Sequence, residues 1–413
     1  MIRTTMRTAK GRALKASILS LAVALGLTAC SNEYTVAYVY MITQGIQGET
    51  NHSLLNSYKV DYQSGFLYNM PDSPNETGGR DGVAIVAAPN NLFLYTVNNF
   101  DSDVVEFAIG TDGKLYPQNT YNISGSLPVA AAIDAAGKFL YVAFTYQNNP
   151  DGTSLYTPSN PGPGGISIFP INANNTLGTP TTVSAGRNPV AIATSPSGNY
   201  VYLLEQDSAS SANVLGFTEN AATGALTAMP GVVINPGNVP SNGFASGPAP
   251  SGLLVDSTAT HLYVTDKTLG QIATYNIGSG GVPAKVASTL TDAGPMGMSF
   301  DLQGKYLYVA ASIANAIDGY TIGANGVPVR STVAPAVQAG SGPTCVSVSG
   351  APSNAHPTHA AYLYVSNALS NNVTAEQLNE TTGALDQIIG SPFGGSTLPS
   401  CVVTVPSLPV PGS

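Results

Sequence analysis

Leu307-Tyr308-Val309 is one of six copies of a short apolar segment with Tyr at its centre. The other copies are Leu94-Tyr95-Thr96-Val97, Leu140-Tyr141-Val142, Val201-Tyr202-Leu203, Leu262-Tyr263-Val264 and Leu363-Tyr364-Val365, with an earlier variant at Tyr38-Val39-Tyr40. Successive central Tyr residues, from Tyr40 to Tyr364, are 45 to 61 residues apart. Such uneven spacing indicates a constant unit with loops of variable length, and it predicts seven units.

Each unit is predicted to contain four short strands. A Pro-led inner strand such as 189–193 comes first, then a polar turn with Gly, the Tyr-centred strand, a third strand such as 272–277, and a weaker strand after a Gly-x-Leu turn. The central strands are apolar at consecutive positions, which is typical of sheets buried on both faces. Four-stranded sheets with repeats of about 40 to 50 residues are typical of propellers. The sequence therefore predicts an all-β, seven-bladed β-propeller, with a solenoid as the alternative that would need polar caps at its two ends.

The two ends of the repeat array favour a closed ring. The first unit begins at residues 34–38 without a Pro-led strand, whereas the C-terminus carries a surplus one at residues 399–405. We infer that this C-terminal strand completes the first blade, which leaves no open sheet edge there.

The N-terminus has the pattern of a bacterial export signal. Five basic residues precede an apolar run at residues 16–27, which is too short to span a bilayer comfortably. The run ends in Leu27-Thr28-Ala29-Cys30, which resembles a lipobox and implies lipidation of Cys30. We therefore predict a signal peptide at 1–29, a lipidated tether at 30–36, the propeller at 37–405 and a tail at 406–413. The expected location is extracytoplasmic, as a monomer attached to a membrane of the cell envelope by lipid, and Ser31 resembles the outer-membrane sorting pattern.

Charge argues against one class of partner. The predicted signal holds five of the 14 Lys and Arg and none of the 23 Asp and Glu, so removing it leaves a formal charge of −14 (9 − 23). A strongly acidic surface repels phosphate backbones, so nucleic-acid binding is not expected.

Two cysteines remain besides Cys30. Cys345 and Cys401 each stand two residues after a Pro in their inner strands. Equivalent positions on neighbouring inner strands could form a disulfide, which this compartment permits. They could also be too far apart for one, so a disulfide and two buried free thiols both remain open.

Loops that enter inner strands and loops that follow Tyr-centred strands should emerge on one face, around the mouth of the central channel. We call this the mouth face. Insertions at 148–165 and 235–250 belong to it, and the insertion at 351–361 belongs to the opposite face. His261, His356 and His359 also fall on the opposite face, where the His-Pro-Thr-His spacing is better explained as a loop than as a metal site.

Candidate functional groups on the mouth face are few. Arg80 and Arg187 immediately precede inner strands and could bind a carboxylate or polarised carbonyl, or could hold neighbouring loop carbonyls. His52 could be a general base or a solvated loop residue. The acidic and amide residues expected on this rim are Asp81, Asn98, Asp101, Asp103, Glu205, Asp207, Asp266 and Asn367. Their oxygens would suit a hard cation such as calcium, although such residues are also common in turns for backbone reasons, and no other cofactor is expected.

The repeats resemble the lactonase-type seven-bladed propellers, the family that includes 6-phosphogluconolactonase and the YVTN repeat proteins. The closest matches are residues 134–142, Asp-Ala-Ala-Gly-Lys-Phe-Leu-Tyr-Val, and residues 301–309, Asp-Leu-Gln-Gly-Lys-Tyr-Leu-Tyr-Val. The resemblance implies a lactone-converting enzyme that uses polar residues at the channel mouth. It makes Arg80, Arg187, Glu205 and His52 the catalytic candidates, with Arg stabilising an oxyanion and Glu205 or His52 activating water.

Two features argue against a phosphosugar lactone as the substrate. Such a lactone is a cytoplasmic metabolite, and an acidic envelope protein with few cations makes a poor phosphate site. We therefore expect hydrolysis of some other lactone or related ester. The alternative is a non-catalytic propeller that binds a polysaccharide, a peptide or an envelope protein.

Overall fold

The computed structural model describes residues 35–45, 52–147, 162–208, 210–235, 241–333, 335–349 and 361–407. These residues lie within the compact unit Thr35–Ser413. They form seven antiparallel sheets, with one short 3-10 turn at Ser279–Gly281. Within this described part, no helix is long and apolar enough to cross a membrane. Cys30, His356 and His359 lie outside the described residues.

The first four blades follow each other in chain order. Their strands are, in blade 1, β1 (Thr35–Thr43), β2 (Leu54–Asp61), β3 (Leu67–Asn69) and β4 (Asn75–Glu76); in blade 2, β5 (Gly82–Ala87), β6 (Phe93–Asn98), β7 (Asp103–Ile109) and β8 (Leu115–Asn122); in blade 3, β9 (Ser126–Ile133), β10 (Phe139–Tyr146), β11 (Gly165–Pro170) and β12 (Thr181–Ser184); and in blade 4, β13 (Pro189–Thr194), β14 (Tyr200–Ser208), β15 (Ser211–Glu219), β16 (Leu226–Ala228) and β17 (Phe244–Ala245).

The last three blades repeat the same order, and one further strand follows them. The strands are, in blade 5, β18 (Pro250–Val255), β19 (His261–Asp266), β20 (Gln271–Ile277) and β21 (Pro283–Leu290); in blade 6, β22 (Pro295–Phe300), β23 (Tyr306–Ala311), β24 (Ala316–Ile322), β25 (Pro328–Arg330) and β26 (Val337–Gln338); in blade 7, β27 (Pro343–Ser349), β28 (Ala361–Asn367), β29 (Asn372–Leu378), β30 (Leu385–Gln387) and β31 (Phe393–Gly394); and at the C-terminus, β32 (Pro399–Pro406).

The C-terminal strand closes the ring, as predicted. β32 pairs antiparallel with β1, with Tyr40 opposite Val403, and so becomes the inner strand of blade 1. Each inner strand contacts the inner strands of two neighbouring blades, and these contacts run round the whole ring. β1 begins at Thr35 and β32 ends at Pro406. Of the two alternatives for the cysteines, the structure has the disulfide, with Cys345 and Cys401 on adjacent inner strands and 4.9 Å between their Cα atoms.

The repeated Tyr fastens each blade to the next. Tyr40 in blade 1 donates a hydrogen bond from its hydroxyl to the carbonyl of Gly113 in blade 2, at 2.7 Å. Equivalent bonds of 2.7 to 3.3 Å join the other six neighbouring pairs, from Tyr95 to Asn175, Tyr141 to Gly224, Tyr202 to Gly281, Tyr263 to Gly326, Tyr308 to Gly383 and Tyr364 to Gly65. Because these phenols are almost completely buried, an unmade hydrogen bond would cost free energy. The repeat therefore encodes contacts between blades as well as strands.

The acceptor in this contact needs a special backbone. Gly113 has a φ of 79°, and the other six acceptor residues also have positive φ. A Cβ at Gly113 would overlap the ring of Tyr38, which stands two residues before Tyr40. His261 fills the same position in blade 5, where its ring covers Gly326 and its Nδ1 lies 2.8 Å from Asp256 Oδ2. His261 therefore lies on the face opposite the mouth, as its place in strand order predicted.

A second repeated position lies on the third strand of each blade. The residue opposite the one that precedes the central Tyr is aromatic in six blades, namely Tyr58, Phe107, Phe169, Phe217, Tyr275 and Tyr320. In blade 7 this residue is Glu376, opposite Leu363. Its side chain is 1% exposed, and its Oε2 has no hydrogen-bond partner among the described residues. Blade 7 therefore holds a buried carboxyl group where the other six blades hold an aromatic ring.

Candidate functional site

Strand register defines one equivalent position per blade on the mouth face. Near its mouth-face end, each second strand has a residue that pairs with one of the first three residues of the inner strand. We call this residue of the second strand the mouth position. Its occupants are Thr43, Asn98, Phe144, Glu205, Asp266, Ala311 and Asn367. In all seven blades the register shifts just beyond this pair, so the chain bulges as it enters the inner strand.

A glycine in the loop above covers the mouth position in five blades. A Cβ on this glycine would overlap or closely approach the residue below it, and the glycines are Gly79, Gly125, Gly186, Gly247 and Gly340. In these five blades the mouth position is therefore closely packed beneath the entry loop.

Two polar occupants of the mouth position, Asp266 and Asn98, hydrogen-bond to neighbouring loop or strand residues. Asp266 accepts hydrogen bonds from the N–H groups of Thr268, Leu269 and Ala249 at 2.8 to 3.0 Å. Asn98 donates to Asp103 at 2.7 Å. Among the described residues, no group of three or more His, Cys, Asp or Glu side chains could hold a metal ion. These hydrogen bonds explain the presence of Asp266 and Asn98 by the local structure that they stabilise.

Glu205 in blade 4 is completely buried, like its equivalents in the other blades, and its carboxyl group accepts a backbone hydrogen bond from Arg187. Asn213 donates from its amide to Glu205 Oε1 at 3.1 Å. On the other side, a Cβ at Gly186 would overlap the carboxyl group, so only glycine fits there. Asp207 lies two residues along the same strand, so its side chain projects to the same side as that of Glu205. The two carboxyl groups are neighbours in a nearly dry site.

The two carboxyl groups share one proton. Glu205 Oε2 and Asp207 Oδ1 are both buried, and neither receives a hydrogen bond if both groups are ionised. Burial, and then the charge of Asp207, raise the pKa of Glu205 to about 8. Burial also raises the pKa of Asp207, while the hydrogen bond from Glu205 and the charge of Arg187 lower it. At neutral pH the proton therefore resides on Glu205, which donates to an ionised Asp207.

Arg187 completes this group. It follows Gly186 in the loop that enters β13, and it is half-buried. The positive charge of Arg187 lowers the pKa of Asp207. Asp207 itself remains 7% exposed, so it is the edge of the pair that solvent reaches. The structure thus brings together two of the four predicted catalytic residues, Arg187 and Glu205.

The other two predicted residues form a separate group at blades 1 and 2. Arg80 makes a bidentate ion pair with Asp101, through contacts that include Nε to Oδ1 at 3.0 Å, and its guanidinium lies 4.2 Å from the ring centre of Phe100. His52 lies 3.1 Å from Glu76 Oε2 and is exposed. Arg80 thus holds a loop, through a carboxylate and not through the loop carbonyls that sequence suggested.

The sequence placed Asp207 on the rim, among residues that could bind a cation or serve in turns, but did not pair it with Glu205. The available signal was the spacing, because Glu205 and Asp207 are two apart on a strand. Asn213 was missed altogether. Its amide lies 3.1 Å from Glu205, 3.5 Å from Asp207 and 3.4 Å from the carbonyl of Ser241, so it orients both acids.

Comparison with protein families agrees with this architecture. Residues 238–361 match the family described as lactonase, 7-bladed beta-propeller. No curated protein sequence matches the chain.

Solved structures of similar fold include three with informative names. A putative 6-phosphogluconolactonase from Bacteroides fragilis is 17% identical, with 91% of this chain and 99% of that chain covered at a TM-score of 0.67. The corresponding protein from Bacteroides uniformis is 17% identical, with coverages of 90% and 100% and a TM-score of 0.68. A periplasmic gluconolactonase from Pseudomonas aeruginosa is 15% identical, with coverages of 89% and 99% and a TM-score of 0.67. At these identities the likeness concerns the fold.

Proposed function

We propose that this lactonase-like propeller hydrolyses a lactone or a related ester at the mouth face of blade 4. The observation that carries the proposal is the placement of two buried carboxyl groups, Glu205 and Asp207, side by side next to Arg187, with the amide of Asn213 within hydrogen-bond distance of both. Two carboxyl groups with divergent pKa values form a recurring arrangement for acid-base catalysis. The group also breaks the sevenfold repeat, as a unique site in a repeated fold must.

Each residue has a distinct role in this reaction. Ionised Asp207 takes a proton from a water molecule whose oxygen attacks the carbonyl carbon. The guanidinium of Arg187 stabilises the negative charge that develops on the carbonyl oxygen. The ring C–O bond then breaks, and the departing alkoxide receives the proton held by Asp207, which yields the hydroxy acid. Glu205 keeps its own proton throughout, and Asn213 keeps the pair aligned.

A panel of lactones tests this proposal with the purified full-length mature protein. We expect turnover that falls at least 100-fold in Asp207→Asn and in Arg187→Ala, in the range expected for removing a general base or an oxyanion donor. Arg80→Ala is the matched control, since it removes a mouth-face arginine whose guanidinium is paired with Asp101. Equal losses in Arg80→Ala and Arg187→Ala would contradict the assignment. No turnover on any lactone or ester would leave the non-catalytic binding alternative.

We also propose that the protein is held at the cell envelope by lipid on Cys30. β1 runs from the face opposite the mouth towards the mouth, and β32 returns to that opposite face. The proposed tether would therefore join the propeller at Thr35, on the face opposite the mouth. Membrane fractionation of the wild type and Cys30→Ser tests this, and an unchanged distribution would contradict it.

A further inference from the structure

The insertion that precedes blade 5 lies against the acid pair of blade 4. Its described part at residues 241–245 ends in β17, which pairs with β15 through Ala245 opposite Asn213. We call residues 241–245 the supporting segment. Asn213 is the residue whose amide donates to Glu205. The supporting segment is therefore bonded to the strand that carries the hydrogen-bond donor of the acid pair.

The supporting segment is held on two sides. A Cβ at Gly243 would lie 2.6 Å from the carbonyl oxygen of Val214 on β15, so only glycine allows this close approach. On the other side, Asn242 and Val233 exchange two backbone hydrogen bonds of 2.9 Å. Ser241, the neighbour of Asn242, is 2% exposed. These contacts give the backbone of Ser241 a fixed position.

Both backbone groups of Ser241 face the acid pair. Its N–H donates a hydrogen bond to the carboxyl group of Asp207. Its carbonyl oxygen accepts from the amide of Asn213, with 3.4 Å between Nδ2 and the oxygen. A hydrogen bond donated to a carboxylate stabilises the ionised form. Ser241 therefore favours ionised Asp207 directly, and it acts on Glu205 through Asn213.

The carbonyl of Ser241 also decides which end of the Asn213 amide faces the carboxyl groups. A side-chain amide has a donor end and an acceptor end of similar shape. The donor nitrogen Nδ2 lies 3.1 Å from Glu205 Oε1 and 3.5 Å from Asp207 Oδ2, on the side where it also meets the Ser241 carbonyl. A reversed amide would place its oxygen against three other oxygen atoms, which repel it. Ser241 thus keeps a donor directed at the pair.

The supporting segment changes the acid pair without adding charge. Its sequence, Ser-Asn-Gly-Phe-Ala, contains no titratable residue, and the charged groups that act on Asp207 are Glu205 and Arg187. We propose that Ser241 is a positioning residue whose backbone holds Asp207 in the ionised state and holds Asn213 as the donor to both acids. The catalytic part of this role rests on the proposed function, in which ionised Asp207 takes a proton from water.

Two substitutions separate the N–H of Ser241 from its side chain. Ser241→Pro removes the N–H, whereas Ser241→Ala keeps it and removes only the hydroxyl that accepts from the N–H of Asn235. A hydrogen bond to a charged group is strong enough to move a pKa by about one to two pH units. The acid limb of kcat/KM against pH reports the general base, so it should move up by this amount in Ser241→Pro. Ser241→Ala should keep the wild-type midpoint.

Two glycine variants control for distortion and for misfolding. Gly243→Ala pushes the supporting segment away from β15, so its midpoint should also rise, and it tests the assignment if Ser241→Pro does not fold. Gly297→Ala is the matched control, because a Cβ there would lie 2.8 Å from the carbonyl oxygen of Thr344, between blades 6 and 7. Gly297→Ala should lower stability and leave the midpoint unchanged, since a purely structural loss lowers the profile without moving it.

A titration without substrate separates this assignment from the proposed hydrolysis. The carbon-13 resonance of the Asp207 carboxyl group, identified by its loss in Asp207→Asn, is followed against pH in protein labelled at the aspartate carboxyl carbon. A midpoint that rises in Ser241→Pro or Gly243→Ala, but not in Ser241→Ala, supports the role of Ser241 even if no lactone is turned over, in which case only the hydrolysis fails. An unchanged midpoint in the folded variants, or an equal rise in Ser241→Ala, overturns the assignment whether or not lactones are hydrolysed.

Discussion

Replacing Glu205 by Gln should remove a pH-dependent component of stability. Folded Glu205 has a pKa of about 8, against 4.5 for the ordinary group, because burial and then Asp207 disfavour its charge. Between these two pH values the folded protein binds more protons than the unfolded chain. Its stability therefore falls as pH rises through this range, and the contribution is complete below pH 4.5 and lost above pH 8. Glutamine has no proton to lose, so Glu205→Gln should lack this decline.

The size of the effect follows from the shift. Each unit of pKa shift corresponds to about 1.36 kcal/mol in the free energy of unfolding. Because Glu205 and Asp207 titrate as a coupled pair, we expect a total change of roughly 3 to 5 kcal/mol. The assay is urea unfolding at several pH values from 5 to 8.5, for the wild type and Glu205→Gln. The free energy of unfolding of the variant, relative to the wild type, should increase by this amount across the range. Glu380→Gln, which alters an exposed carboxylate, controls for the general effect of removing one charge.

A difference between wild type and Glu205→Gln that stays constant from pH 5 to 8.5 would refute the shared proton. In that case both carboxyl groups would be ionised throughout, and the acid-base roles given to Asp207 and Glu205 would lose their basis. An increase of equal size in the free energy of unfolding of Glu380→Gln relative to wild type would show that overall charge, and not the buried pair, governs the pH dependence.

Three further outcomes are expected from the same kind of unfolding measurement. Tyr308→Phe should lose about 1 kcal/mol, the usual contribution of one buried hydrogen bond, and no loss would mean that the contact with Gly383 does not stabilise the fold. Burial, and then the charge of Asp386, raise the pKa of Glu376 to about 7, so Glu376→Phe should gain about 2 to 3 kcal/mol at pH 8 and less at pH 5; a gain independent of pH would contradict this cause. Cys401→Ser should lose about 2 to 4 kcal/mol, and a reductant should destabilise the wild type similarly while leaving Cys401→Ser unaffected.

The fold was predictable because its determinants recur. The Tyr-centred strands, the Pro-led inner strands and the surplus C-terminal strand are readable without coordinates, and the blade count and ring closure follow from them. The contact from each Tyr to the next blade was not predictable, because it joins residues about 63 to 83 positions apart at six of the junctions. No local sequence pattern specifies which backbone carbonyl a Tyr hydroxyl will contact in the next blade.

The candidate site was predictable only in part. Strand order correctly placed Arg80, Arg187 and Glu205 on one face, but it could not show that Arg80 forms an ion pair with Asp101. That pairing depends on the path of two turns and on side-chain direction after a bulge. The buried state of Glu205 depends likewise on how closely Gly186 approaches it. Burial and proton sharing are properties of packing, which composition and spacing do not report.

The contact between Tyr364 and Gly65 bears on the order of folding. It is chemically equivalent to the other six junctions, yet its partners are 299 residues apart in the chain, against 73 for Tyr40 and Gly113. Closing a loop about four times longer costs about 1 kcal/mol more in chain entropy. The junction of blades 7 and 1 should therefore form after the other six. A partly folded chain would then be an open arc of blades, which closes when β32 pairs with β1.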